Sequence, residues 1–115
     1  MIKFISLILL LLCVSVNAQR VKGPKISKIA FGSCADQNTP LPIFDVVASH
    51  KPDMFIFLGD NIYADTDNIK EFQKKYDMLG AKPSYKNMKR AVPHILATWD
   101  DHDYGKNDEG KDFEI

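Results

Sequence analysis

Each of three runs of apolar residues in this chain leads into groups able to bind metals or move protons. Cys34 closes Gly32-Ser33-Cys34 after the β-prone run Ile26–Phe31. Asp60 follows Met54–Leu58, and Asp100-Asp101-His102-Asp103 follows His94–Trp99. A thiolate, carboxylates and the phenolate of Tyr63 form an unusual donor set. Zinc prefers cysteine and histidine, whereas calcium and magnesium prefer oxygen alone. Thiolate and phenolate beside shared carboxylates suit a trivalent iron next to a harder, oxygen-bound ion. Two adjacent metals can hold both the attacking and the leaving oxygens of a phosphoryl group and lower the pKa of a bound water. His102, flanked by Asp101 and Asp103, reads as a general acid, as a hydrogen-bond donor to phosphate, or as a structural group tied between carboxylates.

Those side chains meet only if the elements before them are aligned. Met54–Leu58 (MFIFL) is apolar on both faces, the pattern of a strand in the middle of a parallel sheet. Ile26–Phe31 and His94–Trp99 read as its neighbours. Between them the sequence predicts a helix over Leu41–Ser49, with proline in its first turn and Lys51-Pro52 closing it. A second is predicted over Asn68–Leu79, with Asn68 and Glu71 at capping-box spacing and Gly80 just past its end. A third runs from Pro83 to about Ala91 and turns Tyr85 and Met88 inward. The aromatic positions of the last two helices and Trp99 read as packing. Strand–helix–strand–helices–strand with right-handed crossovers is an α/β layout with all three strands parallel. Ligands of such sheets bind beyond the carboxyl ends of the strands, where Cys34, Asp60 and Asp100–Asp103 converge.

Composition narrows the field. With 15 basic and 15 acidic residues the chain is formally neutral, without the charge signature of a nucleic-acid or membrane-surface binder. No phosphate-binding glycine loop of the GxxxxGK or GxGxxG type is present, nor a G-x-S-x-G elbow. The acidic stretch Asp100–Glu109 is out of register with an EF-hand loop. Residues 1–18 have the order of a signal peptide: Lys3, the apolar run Ile5–Leu12, and Val16-Asn17-Ala18 before Gln19. The run breaks at Ser15 and Asn17, short of the roughly 20 apolar residues of a membrane span. Residues 19–25 follow as an exposed leader. Export and cleavage would leave Cys34 as the single cysteine: buried and inert, reactive, or a ligand.

The phrases FGSCADQ, FIFLGDNIYADT and ATWDDHDYGKNDEG resemble alkaline phosphatase D-like metallophosphoesterases, relatives of the purple acid phosphatases. The resemblance spans nearly all of the chain after the leader, and its third phrase is the most specific. It implies a calcineurin-like layered sandwich, of which residues 26–115 would be the N-terminal strand–helix–strand–helix–strand portion. It further implies Fe3+ bound by Cys34 and Tyr63, with Asp60 bridging to Ca2+. Asp101 becomes a metal ligand, His102 the catalytic group at the phosphate, and Asn107 a ligand of the second metal, with Asp100 as its rival. The implied activity is hydrolysis of phosphate mono- or diesters by metal-bound hydroxide, in the periplasm or outside the cell. Members of the family continue well beyond this length, so the expectation is a truncated domain with bare apolar strand faces and little activity. The alternative is a non-catalytic exported fragment or calcium-binding module.

Overall fold

The computed structural model describes residues 23–110; the signal-peptide assignment, most of the leader and residues 111–115 lie outside the described residues. Three strands, β1 (Ile29–Gly32), β2 (Met54–Leu58) and β3 (His94–Thr98), form a parallel sheet in the order β1-β2-β3. Its register aligns Ile29 with Met54 and Met54 with His94, so the three strands end along one edge. The α/β layout and the central place of MFIFL are as the sequence predicts.

The connections are helical. Helix α1 (Ile43–His50) starts behind Pro42 and ends at Lys51, whose φ of 47° turns the chain out of the helix. Helix α2 (Ile69–Ala81) is capped by the Asn68 side chain, which accepts from the Lys70 amide at 2.9 Å. Gly80 does not terminate it: the helix runs one residue further, and Lys82-Pro83 makes the corner, because proline disfavours helical geometry in the residue before it. Helix α3 (Pro83–Ala91) follows at once, with Pro83 in its first turn. A short helical turn, α4 (Asp101–Tyr104), comes directly after β3; the sequence has no periodicity there to reveal it.

One face of the sheet is covered. Phe44 of α1, Phe72 and Leu79 of α2 and Met88 of α3 bury themselves against Phe55 and Phe57 of β2. The rings of Phe44, Phe55, Phe57 and Tyr85 meet edge to face, with Phe55 and Phe57 only 4.8 Å apart between centroids. Each fully buried side chain of this size contributes about 1.5–3 kcal/mol. The described residues leave the other face open. Ile29, Phe31, Leu58 and Leu96, which alternation places there, are each about half exposed or more. Trp99, expected to pack at a strand end, is instead 73% exposed, because β3 stops at Thr98 and the chain turns away into α4.

Candidate metal centre

The site is assembled on a loop with little freedom. After β2 the chain turns at Gly59, whose φ is +105°; a Cβ there would stand 2.7 Å from Asp100 Cβ, so the approach of the two strand ends requires glycine. Asp60 follows in the left-handed region (φ 50°), as do Cys34 (φ 61°) and Asp65 (φ 51°). Such conformations cost on the order of 1–3 kcal/mol each for a non-glycine residue and persist only where the surroundings hold them.

Two buried polar side chains hold this loop. Gln37 is 2% exposed; its amide donates to the Tyr63 carbonyl at 3.0 Å, and its oxygen accepts from the Tyr63 amide at 2.8 Å. On the opposite side stands Asp103, 8% exposed. Its Oδ2 accepts from the backbone amides of Asn61 and Asp100 at 3.1 Å and from Asn61 Nδ2 at 3.2 Å. Its Oδ1 accepts from the Ile62 amide at 3.1 Å and the Tyr76 hydroxyl at 3.3 Å. Asn61 also donates to the Thr98 carbonyl at 2.7 Å. Burial and then the Asp103 carboxylate push the Tyr76 phenol up to about 12. The third motif thus locks the second, while the first clamps it through Gln37.

Held in this way, the predicted residues meet. Asp60, Asp101 and His102 offer ligand atoms that all lie within 4.8 Å of one another. Asp60 Oδ2 is 3.6 Å from Cys34 Sγ and 3.3 Å from the Tyr63 hydroxyl. Cys34 is exposed, which removes the buried and inert reading of its thiol. Asp60 Oδ1 is buried without a hydrogen-bond partner among the described residues. A buried carboxylate oxygen with no donor is costly. A cation would satisfy it, and the thiol and phenol beside the other oxygen of the same carboxylate are donors that suit one. The Tyr63 phenol is raised by its contact with Cys34, by burial and by Asp60; a cation at this place would reverse that shift.

Asp101 is held low by the Asp108 amide that donates to it. His102 is raised: burial works against its charged form, but the Asp65 carboxylate on Nδ1 outweighs it, with Asp101 and Asp60 adding to the effect. Its ring also lies against Tyr63, with centroids 4.4 Å apart. Asn107 lies in the exposed turn after α4, where its amide donates to Asp108 Oδ2 at 2.6 Å. Asp100 caps α4 and forms a capping box with Asp103. Asp100 is not part of the group formed by Asp60, Asp101 and His102. Gln37 and Asp65 were not anticipated from the sequence, where each stood inside a motif without a role; Asp103 was read as one of the metal-capable carboxylates beside His102, and its inward turn onto the loop was not anticipated.

No family model, curated protein or solved structure matches the chain. Among the described residues, no helix is long and apolar enough to cross a membrane.

Proposed function

We propose that the chain carries the metal-binding part of an exported, metal-dependent phosphoesterase of the alkaline phosphatase D type. The observation that carries this reading is the Asp60 carboxylate: its Oδ1 is buried and unpartnered among the described residues, its Oδ2 lies beside Cys34 and Tyr63, and it groups with Asp101 and His102. In this reading Cys34, Tyr63 and Asp60 hold Fe3+, and Asp60 with Asp101 holds Ca2+, with Asn107 reaching the second ion only after its turn reorganises. When bound, the pair supplies positive charge to the phosphoryl group and lowers the pKa of a water. The chain's own groups do the rest. His102, with Nδ1 engaged by Asp65, has Nε2 left to donate to a phosphate oxygen or to the departing ester oxygen. Gln37 and Asp103 keep the loop from relaxing while charge moves within it. The bare apolar face of the sheet supports the finer fold reading, a calcineurin-like sandwich in which a second layer covers that face.

The test is metal analysis combined with hydrolysis of 4-nitrophenyl phosphate and bis(4-nitrophenyl) phosphate, using the full chain supplied with iron and calcium. The expected result is stoichiometric iron, a visible charge-transfer colour, and turnover of one or both esters. Cys34→Ser is expected to lose iron and colour together. Retention of both in that variant removes Cys34 from the ligand set. Calcium-dependent stability without hydrolysis of either ester replaces the enzyme reading with that of a calcium-binding module.

A further inference from the structure

Trp99 stays in water just past the end of β3, 73% exposed, where a large apolar ring forgoes the burial that ordinarily fixes its place. It does not stand on open surface. It helps to line a cavity of about 170 Å3 between the end of β3 and helices α2 and α3, with Phe57, Tyr76, Leu79 and Tyr85 as further walls. The cavity lies on the covered side of the sheet, and none of Cys34, Asp60, Tyr63, Asp101 and His102 lines it. An apolar cavity of roughly 150 Å3 is large enough to take up benzene, so this space suits one six-membered ring with a small substituent. Aromatic walls favour an aromatic ring, through edge-to-face and offset contacts.

One polar group marks what the ring should carry. Asn61 also lines the cavity and is buried, 7% exposed. Its Nδ2 is spent on the Thr98 carbonyl and on Asp103 Oδ2. Its Oδ1 is buried without a hydrogen-bond partner among the described residues. An acceptor withdrawn from water and left unpaired is costly, and a hydroxyl brought in on a ring would satisfy it. No charged side chain lines the cavity. Burial holds the Tyr85 phenol above its ordinary value, and the same desolvation works against an anionic occupant. We propose that this cavity is a binding site for a small neutral phenol, whose ring lies among Phe57, Tyr76 and Tyr85 beside Trp99 and whose hydroxyl donates to Asn61 Oδ1. The site is separate from the metal centre and does not rest on the phosphoesterase reading above.

The chain has a single tryptophan, so fluorescence excited at wavelengths that phenol does not absorb reads the rim of this cavity alone. The experiment titrates the full chain with phenol at neutral pH and has two readouts. The first is Trp99 emission, which is expected to change along a saturable curve. The second is the side-chain amide signal of Asn61 in the nitrogen-15 spectrum, which is expected to shift over the same range of phenol concentration. Toluene has the same size and no hydroxyl, and it is expected to leave the Asn61 amide where it was. Ala97→Leu and the smaller Ala97→Val enlarge a lining residue. They are expected to weaken phenol binding about 10-fold or more with the melting temperature little changed; if the leucine variant does not fold, the valine variant and the wild-type spectra decide. Emission that drifts without saturating, an Asn61 amide that toluene moves as far as phenol does, or undiminished phenol affinity in a folded Ala97 variant overturns the assignment. So does a wild type that responds to phenol in neither readout, which would leave Asn61 Oδ1 to a bound water.

Discussion

Replacing Asp103 with asparagine should loosen the site, although the change is close to isosteric. In the native chain the two carboxylate oxygens accept from the amides of Asn61, Ile62 and Asp100, the Asn61 side chain and the Tyr76 hydroxyl. Asparagine offers one oxygen and one NH2 group. With the NH2 on the Oδ2 side three donors lose their acceptor; on the Oδ1 side the Tyr76 hydroxyl can turn to accept from it, and the Ile62 amide alone is left unpaired. A buried donor left unsatisfied costs about 1–3 kcal/mol. The second orientation is the cheaper one, and the expectation is about 1–3 kcal/mol. Against a domain stability of about 5–15 kcal/mol, that is a measurable share. Urea unfolding followed by circular dichroism measures the total. Hydrogen exchange at the Ile62 amide reads the mechanism directly, because it should lose protection more than the amides of β2. A variant within about 0.5 kcal/mol of wild type, with that amide still protected, would refute the clasp.

Gly59→Ala should destabilise by at least about 2 kcal/mol, because its Cβ meets Asp100 Cβ at 2.7 Å and its φ is +105°; thermal melting and metal content check this together. Gln37→Leu leaves both the amide and the carbonyl of Tyr63 unpaired, an expected loss of about 2–4 kcal/mol in urea with weaker iron retention. The Tyr76 phenol, raised to about 12 by burial and Asp103, contributes stability that is complete below its unfolded value near 10. That contribution should disappear as pH rises from 10 through 12, in step with tyrosinate absorbance, and Tyr76→Phe should flatten the stability profile across that window.

The sheet was legible because a run such as MFIFL has no other economical place than between two strands, and its termini were legible because glycine and charge follow it directly. The chemistry-bearing residues were legible for the same reason: parallel strands bring their ends to one edge, so Cys34, Asp60 and Asp101 meet without further information. The division of labour within Asp100-Asp101-His102-Asp103 was not. Three aspartates of the same chemistry sit on a single turn of helix, and about 100° of rotation per residue decides their fates. One caps the turn, one faces the metal-capable cluster, and one enters the interior. Gln37 was equally silent, since only the tertiary fold sets it opposite Tyr63. Trp99 was misread because a tryptophan next to a strand ordinarily packs, and here the chain leaves the sheet first.

The position of Asp103 also bears on the order in which the protein takes shape. It reaches back 42 residues to Asn61, and its own helix begins only after the last strand has ended. As the chain grows from its N-terminus, β1, α1 and β2 can associate around Phe44 and Phe55 while Asp60 still sits on an unclamped loop. Left-handed residues are released when nothing over-determines them, so the metal-capable geometry is completed last. On warming, or in denaturant, it should be the first part to be given up, before the sheet itself separates.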